Sequence, residues 1–337
     1  MKKQLGYVAA LSVLAAAVAV AQPAAAQPAA APDTRSAAMK APAPSGKRIN
    51  RAIEVLASGQ PVYYTQVSGG GYEDGKRLAA TKADYILYDM EHGLFDLKEL
   101  REFMRGLVDA GPTRTGHRLV PVIATLPMAG MDEASTKANV WMIQQALAAG
   151  IQGILLCQVE SPEAARILVE ATRYPFGPTA VGLNHGMRGA GSQAYASQIW
   201  GLSQDEYLRR ADVWPLNPDG EIMLGVKLEN PRSVLRSEEI TRVPGIAFAE
   251  WGPGDQAFYL VGRPQAGQGN QAETNPAMVA ARARVLAATK ASKIYFLNSC
   301  SEANVIKQID DGTRICTGGD SPAADKGRAY TKRTTPW

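Results

Sequence analysis

The chain has 337 residues, 46% hydrophobic and 20% charged, with a formal net charge of +4 at pH 7. That length is long for one sandwich and ordinary for one α/β barrel. No Lys/Arg block with interleaved aromatics is present, which sets nucleic-acid binding aside.

Residues 1–26 read as a secretory signal peptide. Lys2 and Lys3 precede an apolar run from Leu5 to Val20, and small-residue cleavage sites end at Ala21 or Ala26. The run is too short and too poor in Leu, Ile and Phe for a spanning helix, though an uncleaved anchor is the alternative. Cleavage would remove two positive charges and leave no membrane attachment. Residues 27–48, rich in Pro and Ala, read as a flexible linker. The expectation is a periplasmic or secreted protein.

From 49 to 320 the pattern alternates strand and helix. A short helix (Ile49 to Ala57) leads to strands at Pro61 to Val67 and Asp84 to Glu91. Asp96 then caps a helix with Glu99 three residues on, placing Leu97, Leu100, Met104, Leu107 and Val108 on one face. A strand at Leu119 to Thr125 is followed by a helix from about Ser135, with Val140, Ile143 and Leu147 inward and Gly150 at its end. Ile151 to Gln158 is the fourth strand, and Ser161-Pro162-Glu163 opens the next helix. From Tyr174 to Asp219 a long Gly- and Pro-containing segment, holding Asn184, His185 and Arg188, interrupts the alternation. Ile222 to Leu228 and Gly245 to Glu250 are strands five and six. An Ala-rich helix near Ala277 to Thr289 precedes the last two, Lys293 to Leu297 and Arg314 to Thr317. Eight strands with helical crossovers predict a (β/α)₈ TIM barrel. No G-x-G-x-x-G follows a strand, which argues against a dinucleotide-binding sheet.

Cys157 lies in an apolar run and reads as a small core residue. Cys300 and Cys316 flank one helix and strand, so an exported protein would let them pair, and two unpaired buried thiols are the other reading. No C-x-x-C or Cys/His cluster suggests zinc held by thiolates.

The stretch DYILYDMEHGLF (84–95) ends an apolar strand abruptly in Asp89, Glu91 and His92. In a barrel that end of a strand is where chemistry sits. Glu229 and Asp255 follow the fifth and sixth strands, so two carboxylates converge on the same face. Hard oxygen ligands with open positions suit Mg²⁺ or Mn²⁺ better than zinc. A buried structural histidine is the competing reading of His92, and a helix cap that of Asp255. His117 precedes a strand and reads as structural; His185 is undecided.

DMEHG, KLEN and GPGD after the second, fifth and sixth strands, with QALAAGIQGILLCQVESPEAARILVEATRYPFG between them, resemble the HpcH/HpaI aldolase/citrate lyase β-subunit family, the class II metal-dependent 2-oxo acid aldolases. The resemblance runs from about Pro61 to Asp320. It implies a barrel of the phosphoenolpyruvate/pyruvate type that makes or breaks a carbon–carbon bond next to a 2-oxo acid such as pyruvate, with an aldehyde as partner. By the matching positions Glu229 and Asp255 are metal ligands and His92 the acid/base. Glu91 holds metal-bound water, and the backbone around Gly254 takes the substrate carboxylate. The metal, Mg²⁺ or Mn²⁺, would chelate the substrate and stabilise the enolate. Asp89 would orient His92.

Three departures from the family stand out. Ala124 occupies the place of an arginine at the end of the third strand, Ala148 that of an aspartate that assists the histidine, and Lys227 that of a glutamine. Lys227 and Glu229, two apart on a strand, share the inner face. Lys227 is therefore expected to replace the missing cation and bind the developing enolate, as a point charge where arginine would be a fork. The competing readings are a Schiff-base lysine, or a lysine that pairs with Glu229 and displaces the metal. The last would leave a periplasmic binding barrel for small acids; a metal-dependent 2-oxo acid decarboxylase is the other alternative. Residues 321–337 read as a C-terminal tail without apolar period, so a homo-oligomer is compatible but not implied. Specificity for the aldehyde is expected from the Gly182–Arg188 loop and other variable loops.

Overall fold

The computed structural model describes residues 47–263, 269 and 271–337. The expected signal peptide, and the linker up to residue 46, lie outside them. The strands in chain order are β1 (Val62–Val67), β2 (Tyr85–Asp89), β3 (Val122–Thr125), β4 (Gly153–Leu156), β5 (Val213–Trp214), β6 (Ile222–Lys227), β7 (Phe248–Glu250), β8 (Tyr295–Asn298) and β9 (Thr313–Thr317). All pairings are parallel, and β1–β9 and β4–β6 close eight of them into a barrel. The two-residue β5 is an addition that pairs with the start of β6.

Alternation along each strand sorts the core into two layers. Tyr64, Tyr85, Leu87, Ile123, Leu155, Met223, Phe248, Leu297 and Ile315 fill the barrel interior. Their neighbours, among them Ile86, Val122, Ala124, Ile154, Leu224 and Ala249, face the surrounding helices. The interior is apolar up to the last turn of the strands. There the same inward positions become Gln66, Asp89, Thr125, Cys157, Lys227 and Glu250, a polar layer at the mouth.

The opposite end is shut. Helix α1 (Arg51–Ala57), capped by Asn50, places Ala52, Ile53, Val55 and Leu56 against the interior cluster. The C-terminal residues reinforce that closure. Arg333 forms a buried ion pair with Asp84, and Arg51 donates to the Pro336 carbonyl at 2.5 Å.

The remaining helices are α2 (Tyr72–Leu78), α3 (Leu97–Asp109), α4 (Glu133–Ala138), α5 (Val140–Ala148), α6 (Pro162–Thr172), α7 (Gln193–Trp200), α8 (Gln204–Arg210), α9 (Pro231–Leu235), α10 (Ser237–Thr241), α11 (Pro253–Leu260), α12 (Pro276–Ala291), α13 (Val305–Asp311) and α14 (Pro322–Tyr330). The helix expected from Ser135 is two helices, broken at Asn139. The interruption at 174–219 contains α7, α8 and β5. Its Gly182–Arg188 stretch does not lie over the mouth. Asn184 bonds Glu170 on α6 through both backbone N and Nδ2, and Gln144 of α5 donates to the Met187 carbonyl, so the stretch is fastened to the outer helices. The presumed tail is helical as α14, with Ala323, Ala324 and Gly327 buried; small residues make this contact, so no large-apolar period marks it.

Candidate active site

Asp89 ends β2 facing inward, and its carboxylate is saturated. Oδ2 accepts from Gln66 Nε2 at 2.9 Å and lies 2.9 Å from His92 Nδ1. Oδ1 accepts from Thr125 Oγ1 (2.8 Å), Glu91 N (3.0 Å) and His92 N (3.2 Å). Burial opposes its charge, but the bonds from Thr125 and His92 outweigh that and hold the carboxyl below its ordinary range. The His92 side chain itself is 61% exposed, against 3% for Asp89. This is an oriented histidine at the mouth, not a buried structural one. With Nδ1 held by Asp89, Nε2 is the nitrogen left to move a proton.

Thr125 corrects the reading of the third strand. Ala124 faces the helices, and the inward residue at the strand end is Thr125. Thr125 serves Asp89 and brings no charge. The site still lacks a cation from this strand.

Lys227 supplies one from β6. Its Nζ lies 2.5 Å from Glu91 Oε2, on the loop after β2, so the pair spans the mouth. The competing reading, a Lys227–Glu229 pair, is not what forms. Burial works against the ammonium, but Cys157, Glu250, Glu229 and Glu91 around it prevail and hold it well above lysine's ordinary value. Burial pushes the Cys157 thiol well above its ordinary value, so that side chain stays neutral. An ammonium engaged in an ion pair with Glu91 is a poor Schiff-base nucleophile, which argues against that reading. Glu91, expected to hold metal-bound water, is the partner of Lys227 and stands 3.8 Å from His92 Nδ1.

Glu229 and Asp255 are brought to one residue, Gln158, which sequence reasoning passed over. Its backbone N donates to Glu229 Oε1 at 2.8 Å and its Nε2 to Asp255 Oδ2 at 3.0 Å. Gln158 has φ 49°, an unusual conformation for a non-glycine residue, and Asn230 Nδ2 holds its Oε1 at 3.0 Å. Gly252, at φ 56°, ends the turn into α11; a Cβ there would lie 2.2 Å from Glu229 Cβ. The same turn puts Gly254 in the first turn of α11, with open space beside it and its backbone N–H at the positive end of the helix.

Two groups of side chains offer closely spaced ligand atoms among the described residues: Asp89, Glu91 and His92, and Glu91, Cys157 and Glu229, each within 4.8 Å of one another. Cys157 is buried as expected but lines the inner face beside these carboxylates. Asp255 belongs to neither group and joins the site through Gln158. The donor set suits a divalent cation. Glu229 is buried with its carboxyl raised to about 8 by burial and by Glu250 and Glu91, against the pull of Lys227 and the Gln158 N–H. Such a pocket holds more negative charge than its cations balance. Glu250 also went unrecognised. It pairs in register with Lys227 and Leu297, hence inward, and burial, opposed by Lys227 and aided by Glu91, Asp255 and Asp89, raises its carboxyl.

Parallel strands are closed into a barrel, with a histidine–aspartate pair and buried carboxylates at their C-terminal ends, the face on which barrel enzymes carry their chemistry. The sequence profile of the HpcH/HpaI aldolase/citrate lyase family matches residues 75–319. The chain belongs to that family and is a carbon–carbon lyase. Hydroxypyruvate/pyruvate aldolase of Delftia acidovorans is 30% identical over 243 residues, covering 72% of this chain and 76% of the relative. The enzyme of that name from Roseovarius nubinhibens is 30% identical over 243 residues, covering 72% and 79%. Among solved structures, an HpcH/HpaI aldolase/citrate lyase family protein from Burkholderia cenocepacia superposes with a TM-score of 0.60 at 22% identity, over 82% of this chain and 95% of the other, and shares the fold.

Proposed function

We propose that the protein is an exported, divalent-metal-dependent aldolase that makes or breaks the carbon–carbon bond next to a 2-oxo acid such as pyruvate, with an aldehyde as partner. The observation that carries this reading is the Asp89–His92 pair set across one barrel mouth from Lys227 and Glu229. Glu229 and Asp255, with Gln158 fixing both, would hold Mg²⁺ or Mn²⁺. When bound, that ion supplies the positive charge that favours enolate formation from the 2-oxo acid.

The chain's own residues do the rest. Backbone N–H groups at Gly254 receive the substrate carboxylate at the start of α11. The Lys227 ammonium, oriented by Glu91, faces the oxygen on which charge develops. His92 Nε2 takes the proton from the aldol hydroxyl in cleavage and returns it in synthesis, while Asp89 keeps the ring in one tautomer. Export is supported by the leader pattern and by the Cys300–Cys316 disulfide, since such bonds persist in oxidising compartments.

The test is pyruvate release from oxaloacetate by the mature protein, with Mn²⁺ and then with excess chelator. This asks only for enolate chemistry and needs no choice of aldehyde. Turnover that is chelator-sensitive and lost in Glu229→Ala is expected. Lys227→Gln should lower it by roughly 10- to 100-fold. Undiminished turnover in Lys227→Gln would remove the lysine from the mechanism. No turnover with any divalent ion would leave a barrel that binds small acids without transforming them.

A further inference from the structure

Glu250 stands apart from the other acidic groups at the mouth. Asp89 is saturated by Gln66, Thr125 and His92; Glu91 is taken by Lys227; Glu229 and Asp255 are both held by Gln158. The Glu250 carboxylate has no hydrogen bond or ion pair among the described residues, although Lys227 is its neighbour in register. Its backbone is fixed: its carbonyl accepts from Leu228 N at 2.7 Å, and the next residue, buried Trp251, donates through Nε1 to Asn298 at 2.8 Å. The side chain therefore faces the interior with its acceptor oxygens uncommitted. It comes from the strand beside the one that ends in Lys227 and Glu229, and precedes the turn to Asp255 and Gly254.

We propose, resting on the aldolase reading above, that Glu250 is a specificity-determining residue that accepts a hydrogen bond from a hydroxyl group on the substrate's carbon chain. Its charge would at the same time reject a second substrate carboxylate at that position. A lone acceptor in a partly dry site discriminates strongly, because a partner without a donor leaves it unpaired, and an anionic partner adds repulsion. The remaining anionic end of a substrate has its own receptor at Gly254, on the far side of the Gly252 turn, so Glu250 is not needed there. The hydroxyl could come from the 2-oxo acid or from the aldehyde, and the test separates the two.

The mature protein with Mn²⁺ would be assayed for aldol synthesis with pyruvate or hydroxypyruvate as donor and glycolaldehyde or glyoxylate as acceptor. Each rate is divided by the same protein's rate of deuterium exchange into the methyl group of pyruvate, which requires no acceptor. Wild type should prefer the hydroxylated member of one pair. Glu250→Gln, which keeps an acceptor but loses the charge, should raise relative use of glyoxylate by about 10-fold or more. Glu250→Ala, which loses both, should also erase the hydroxyl preference. A change confined to the donor pair assigns the hydroxyl to the 2-oxo acid, and one confined to the acceptor pair assigns it to the aldehyde. Glu250→Asp serves as a second test, since retreat by one methylene should weaken the hydroxyl preference without admitting glyoxylate. Ratios within about 3-fold of wild type in all three variants, with exchange still measurable, would overturn the assignment. Failure of wild type to exchange pyruvate protons with any divalent ion would overturn the aldolase reading itself, and the proposal with it.

Discussion

Substituting Gly252 by alanine tests how tightly the turn into α11 and the proposed metal ligand depend on each other. Gly252 has φ 56° and ψ 65°, a left-handed conformation that costs an L-residue roughly 1–2 kcal/mol. An alanine Cβ would lie 2.2 Å from Glu229 Cβ and 2.7 Å from Glu229 Oε2. Ordinary carbon contacts are about 3.5–4.0 Å, so the carboxylate or the turn must move by more than about 1 Å. Backbone conformation alone predicts a drop in Tm of about 2–4 °C for a domain of this size. Displacing Glu229, and with it the bond to Gln158 N, predicts a loss of Mn²⁺ affinity of about 10- to 100-fold. Titration calorimetry with Mn²⁺ and thermal unfolding without metal, run on the same variant, separate the two effects. A variant that loses stability but keeps wild-type Mn²⁺ affinity would refute the placement of Glu229 as a ligand.

Other consequences are as direct. Asp89→Asn sets an amide donor among groups that now donate to the carboxylate, so His92 loses its orientation; turnover should fall by about 100-fold or more, and a fall under 3-fold would refute the pairing as functional. Cys300→Ser opens a loop of separation 16, which should cost about 3 kcal/mol, and reductant should lower wild-type Tm to the variant's value without moving the variant. Glu54, 2.8 Å from His117 Nε2, has its carboxyl lowered to about 2, chiefly by that contact. Its folded value is below its unfolded one, so its contribution is complete above about pH 5 and is lost as pH falls toward 2. The Tm gap between wild type and Glu54→Gln should close over that range; a gap that is constant from pH 7 to 3 would refute this.

The eight barrel strands were legible because each is a short apolar run bounded by turn residues or by an abrupt charge. The ends at Asp89 and Glu229 were legible for the same reason. Elsewhere the sequence carried too little contrast. In VIAT, valine, isoleucine and alanine give no polar mark of which parity faces in, so the sequence points to Ala124 at the strand end where Thr125 is the inward residue. Glu250 was overshadowed by the WGPGD turn that follows it, and only the strand register shows that it points inward beside Lys227. Gln158 acts through its backbone N–H and an uncommon φ, neither of which residue type reveals. Helices α7 and α8 are short and sit among glycines and serines. Helix α14 packs through alanines and a glycine, which no hydrophobic period can display.

The closed end of the barrel has a practical corollary. Lys47, where the described chain begins, bonds the Gly116 carbonyl ahead of β3, and Arg48 bonds the Gly220 carbonyl ahead of β6. At the other terminus, Arg51 and Arg333 fasten the last residues to the same face. Both ends of the barrel domain therefore lie opposite the mouth that holds His92 and Lys227. Tethered to a surface by either end, the domain would present its reaction centre outward to whatever diffuses past.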